Sequence, residues 1–254
     1  MLHEKNDMRS QFSQAIGEYQ DLGGWESFKS GEWLWNLIQR SLVNYWQNAN
    51  LEYFKAKYCT SDKKVLTKKL TAVAAKNAAI LGSVAGAAVS TDEIIGFATG
   101  GEVGVGIPAN LAIAAAAIGG EAILLIHIQL QLIANLGRLY GVSLDPDDPE
   151  DILTILAFSL GGSAAQAAGR IGMKVGQKLA ERAVKCVFKK EVLATLKRIA
   201  AKVGIKVLQR SIIKYTVPIA SIGIGSTWNY VSTKTVAKIA TKHFKQRAKE
   251  LGVG

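Results

Sequence analysis

Between Pro108 and Gly141 the chain carries more than thirty residues without a proline, reading ANLAIAAAAIGGEAILLIHIQLQLIANLGRLY. Proline is favoured in the first turn of a helix and glycine just past the last, so this punctuation predicts one long helix. Apolar residues lie on almost every side of it, and a helix of that kind belongs in the middle of its fold. Residues 111–136 are long enough to span a bilayer. Glu121, His127, Gln129, Gln131 and Asn135 interrupt the run, however. An acid at mid-membrane costs roughly 3 kcal/mol on insertion scales. A buried core helix is the preferred reading.

The rest of the chain supports an all-α class. The whole sequence has 254 residues with four prolines and 49% hydrophobic residues, so long helices can form and a core can be filled. No stretch alternates as a strand would, and no repeat of fixed period appears. The predicted fold is a multi-helix bundle around the central apolar helix, with basic amphipathic helices in the C-terminal half.

Residues 1–22 read as a polar, frayed helix broken by Gly23-Gly24. Residues 31–59 are aromatic-rich, and Trp35, Ile38, Leu42, Tyr45 and Trp46 recur at helical spacing. That face fits packing in a core, or an interfacial anchor of the kind Trp and Tyr form. Ser61-Asp62 can cap the next helix. That helix starts basic and becomes rich in Ala and Gly, with Gly82 and Gly86 allowing close helix contact. The expected division is 1–59 and 60–254. The glycine-rich residues 91–106 include Gly101, Gly104 and Gly106, yet no Lys-Ser/Thr pair follows and no strand precedes, so a phosphate loop is not expected.

Charge is distributed unevenly. Residues 1–150 hold 12 Lys/Arg and 16 Asp/Glu, a net of −4, whereas residues 151–254 hold 19 and 4, a net of +15. Asp147 or Asp148 can cap the helix that begins this basic half, with Pro149 in its first turn. Three runs then repeat at intervals of four: Arg170, Lys174, Lys178, Arg182; Arg198, Lys202, Lys206, Arg210, Lys214; and Lys234, Lys238, Lys242. Residues four apart share a helical face, so each run forms a cationic stripe. Such stripes suit an anionic membrane surface or a membrane protein complex, and they also fit the plain solvated face of a soluble bundle. Nucleic acid is disfavoured, because base-reading side chains and interleaved aromatics are missing from these helices.

Little in the sequence suggests chemistry. On the central helix, His127, Gln131, Asn135 and Arg138 are spaced along one face with Glu121 at its border, which fits a buried polar seam joining helices. A Glu/His/Arg set could also act in proton transfer. His3 and His243 look solvated, and three scattered histidines give no metal site. Cys59 and Cys186 are far apart and lack a paired base. No catalytic residue, cofactor or metal is assigned, and the oligomeric state is left open. The two distant cysteines point to a reducing compartment, and the first residues lack the apolar core of a secretory signal. Both lead to an expectation of a cytoplasmic protein at the inner face of the membrane.

Two blocks resemble the EcsC family. One runs from Ile107-Pro108 through LAIAAAA, Glu121 and LLIHIQLQLIANLGRLYG into DPDDPED. The other is VPIASIGIGSTWNYVSTKTVAKIATKHF, with Pro218, Gly223, Gly225 and Asn229. The resemblance extends over roughly residues 60–250. An Asp is common in the family where Glu121 stands. The resemblance implies a bacterial, helical protein often associated with membrane systems, and it carries over no reaction. The leading expectation is thus a peripheral protein that binds anionic lipid or a membrane complex through its basic helices. A membrane-inserting effector, and an enzyme acting on a lipid-like substrate at Glu121, His127 and Arg138, are the alternatives.

Overall fold

The computed structural model describes residues 2–24, 26–27, 32–88, 109–144 and 218–253. Among these, every regular element is helical and no strand occurs. The helices are α1 (Leu2–Asp21), α2 (Glu32–Asn48), α3 (Leu51–Tyr58), α4 (Lys63–Ala88), α5 (Ala109–Tyr140) and α6 (Pro218–Glu250).

Local chemistry accounts for most of the boundaries. Asp62 caps α4: its Oδ1 accepts from the backbone N–H groups of Lys64 at 2.6 Å and Val65 at 3.0 Å. These bonds, with Val65 contributing most, hold its carboxyl below the usual range. α5 ends where Gly141 adopts φ 71°, and the N–H of Val142 reaches back to the carbonyl of Gly137 at 2.9 Å. That closure needs a residue in the left-handed region, and glycine adopts it without a Cβ penalty. The aromatic stretch 31–59 is two helices rather than one. Asn50 accepts from the N–H of Tyr53 at 2.9 Å and starts α3 as its N-cap, so α2 ends before it.

α5 is the hub and packs against each of the other five helices. Ile123, Leu130, Ile133 and Leu136 on it are fully buried. The neighbours run in different directions. Glu121 on α5 pairs with Asn229 on α6, and sixteen residues on, Gly137 faces Phe244, so α5 and α6 are parallel. Thr67, near the start of α4, bonds to Tyr140 at the end of α5, with 3.0 Å between hydroxyls, so α4 is antiparallel to both. The most extensive packing is between α4 and α6. Both helices bury small residues, which let backbones approach closely: Ala75, Ala78, Gly82, Ala85 and Gly86 on α4, and Ala237, Ala240 and Ala248 on α6.

α1 is more than a polar, frayed helix. Met8, Phe12, Ala15, Tyr19 and Leu22 are all buried, at successive intervals of four, three, four and three. This is a two-per-seven apolar seam, and it lies on α5. The backbones come close at Gly119 and Gly120. A Cβ on Gly119 would overlap the Tyr19 ring, and one on Gly120 would fall 2.6 Å from Ile16 Cγ1 and 3.1 Å from the Ile16 backbone nitrogen. One apolar cluster holds residues of α1, α2, α4, α5 and α6 together.

Candidate functional site

Two sets of polar residues cross the apolar core, and both are anchored on α5. The first is buried. Glu121 and Asn229 are 8% and 2% exposed, and Asn229 Nδ2 donates to Glu121 Oε1 at 2.9 Å. Thr233, one turn further along α6, is fully buried, and so is Gln129 on α5. Among the described residues, neither Thr233 Oγ1 nor Gln129 Oε1 has a hydrogen-bond partner.

The second set is closer to solvent. His127 stands between α1 and α2: its Nε2 lies 2.7 Å from Glu18 Oε2, and its Nδ1 lies 2.8 Å from the Tyr45 hydroxyl. An ionised carboxylate only accepts, so Nε2–H donates to Glu18, and Nδ1 accepts from Tyr45 when the ring is neutral. The hydrogen bond to His127 holds the Glu18 carboxyl below its usual range. Burial, helped by the Glu18 charge, pushes the Tyr45 phenol up to about 12. A nucleophile–base–orienter chain needs an activated nucleophile. This phenol is shifted the other way, which suits a tie between three helices.

The five residues of the expected seam therefore do not share one environment. At 100° per residue, Glu121 and His127 point about 120° apart around α5, and they bond to different helices. Gln131 and Arg138 are exposed and Asn135 is half-buried, which corrects the expectation of a continuous buried seam. Arg138 is drawn to the end of α2, where its Nη2 donates to the Trp46 carbonyl at 3.0 Å and its guanidinium stacks 5.2 Å from the indole centroid. Glu121, His127 and Arg138 thus bond to three separate sets of partners. His243 also differs from expectation: it is half-buried against Phe244, and burial lowers its pKa. Glu18 was missed as a partner of His127, because the seam of α1 was read as polar surface.

The stripes Arg170, Lys174, Lys178, Arg182 and Arg198, Lys202, Lys206, Arg210, Lys214 lie outside the described residues. The third stripe is described: Lys234, Lys238 and Lys242 are exposed on α6, and Lys245 and Lys249 prolong the same face. No acidic residue occurs on α6 before Glu250. Lys245 Nζ sits 6.0 Å from the ring of Tyr140, the residue that Thr67 bonds. The basic end of α6 is thus beside the start of α4, where Lys63, Lys64, Lys68 and Lys69 are exposed. Among the described residues no cluster of three potential metal ligands occurs. Lys63–Ala87 and Gly119–Tyr140 are long and apolar enough to cross a membrane, but half of the first and 72% of the second is buried in the bundle. A core helix passes the same test.

The EcsC protein family matches residues 56–248, most of the chain, and the protein belongs to that family. The match includes α4, α5 and α6 and begins after α1 and α2. Neither the curated proteins nor the solved structures include one that matches this chain.

Proposed function

We propose that this protein binds anionic membrane surfaces peripherally, through the basic face of α6 and the adjoining start of α4. The observation that carries this reading is the lysine ridge 234–249, exposed along its whole length and without an acidic residue on the helix before Glu250. Lysine near an anionic leaflet gains about 1 kcal/mol, so three or four together amount to a binding free energy of useful size. The lysines crowded at one end of the bundle repel each other, and an anionic surface relieves that repulsion. The cytoplasmic leaflet carries such lipid, which is consistent with a cytoplasmic protein at the inner face of the membrane. Binding of this kind needs no catalytic residue.

Vesicle co-sedimentation tests the reading. Binding is expected to vesicles containing phosphatidylglycerol, to fall with rising salt, and to be about a hundredfold weaker after Lys234, Lys238 and Lys242 are all changed to Gln. Equal binding to neutral and anionic vesicles, or binding to neither, rejects it.

A further inference from the structure

The ridge of α6 does not begin with lysine. Trp228, Tyr230 and Val231 are 46%, 39% and 50% exposed, all within one turn. At 100° per residue, Val231 lies between the other two around the helix, and Lys234, Lys238, Lys242, Lys245 and Lys249 all fall within about 60° of Val231. The apolar turn and the lysines are therefore one continuous face. Lys234 Nζ sits 5.1 Å from the Tyr230 ring centroid, where the two parts meet.

A stripe made only to meet water or a charged surface has no need of an indole, a phenol and a valine at its head. Such residues beside lysines match the composition of helices that lie in a membrane interface, with rings at headgroup depth and amines among the phosphates. The charge that continues along the same face makes an anionic bilayer the fitting occupant.

We propose that Trp228, Tyr230 and Val231 form a wedge that enters the headgroup–acyl boundary of an anionic bilayer, so that α6 lies in the membrane plane with its lysines along the phosphates. The wedge adds a salt-resistant component to binding that the lysines alone do not provide. This inference rests on the reading of α6 as a lipid-binding face.

The test uses the full chain and two readouts. Affinity for phosphatidylglycerol vesicles is compared between the wild type and a variant carrying Trp228→Ser, Tyr230→Ser and Val231→Ser, after a thermal melt has confirmed that both fold. The variant is expected to bind about tenfold or more weakly and to be released fully by salt. Separately, tryptophan quenching by brominated lipid is compared between the wild type and Trp228→Phe. Four of the five tryptophans remain in that variant, so the lost quenching is the share of Trp228. Vesicle binding with unchanged affinity in the triple variant, or with no quenching assignable to Trp228, overturns the wedge and leaves the charge reading standing. If the wild type fails to bind anionic vesicles at all, both fall.

Discussion

The two polar ties on α5 differ in burial and in what they join. Glu121–Asn229 is sealed between two helices of the family-matched region, with both side chains under 9% exposed. His127 joins that region to α1 and α2, which precede it, and the Glu18 and His127 side chains are 30% and 16% exposed. In the first, a group that loses its partner stays in a low-dielectric interior. In the second, water can replace a lost partner. A sealed tie of this kind bears on whether the family core holds together, and a solvated one on whether α1 and α2 stay attached to it.

Asn229→Leu should have the largest effect. It removes a donor to a buried carboxylate, and a loss of about 2–3 kcal/mol is expected in urea denaturation. The same experiment with Tyr45→Phe should cost only about 1 kcal/mol. A larger loss from Tyr45→Phe would break the comparison. Gly120→Val comes next, because its side chain meets the backbone of Ile16. Overpacking of this kind costs about 1–3 kcal/mol. Hydrogen exchange should show the loss confined to residues 2–21, with α4 and α6 as protected as before. Uniform loss of protection would mean that α1 belongs to the same cooperative unit as the core. The smallest effect concerns pH. Folding depresses the Glu18 pKa, so its stabilising contribution is present above the unfolded carboxylate pKa of about 4.3 and is lost as pH falls through the lower folded value. Partly exposed, it should amount to less than about 1 kcal/mol. Glu18→Gln should flatten that acid limb of the stability curve, and an unchanged limb would assign it to other carboxylates.

Where a boundary depends on a residue's own backbone chemistry, it could be read directly: Pro108 and Gly141 around α5, and Asp62 before α4. The outward Lys234–Lys238–Lys242 stripe was equally legible, because spacing by four fixes a face whatever packs behind it. α1 was misread because its surroundings are charged and polar. The composition of residues 1–22 hides a regular 4-3-4-3 seam that only spacing reveals. The break at Asn50 was overlooked because aromatic periodicity continues across it. The polar residues of α5 were assigned to one seam for a different reason. Their sequence spacing fixes angles around one helix axis, but only the positions of α1, α2 and α6 determine which angle meets which partner.

The parallel course of α5 and α6 has a consequence for the order in which the protein is made. α5 finishes at one end of the bundle, and α6 starts at the other, 78 residues later in the chain. During synthesis α4 and α5 can pair as soon as they emerge, since they are antiparallel and separated by only 20 residues of chain. The face of α4 that α6 covers, together with the Glu121 carboxylate, then awaits a partner that the ribosome begins to deliver roughly 4–16 s later at 5–20 residues per second. The nascent chain thus passes through a stage in which an apolar surface and a buried-to-be acid are both open to water, and its exposure to aggregation or chaperone capture is greatest there.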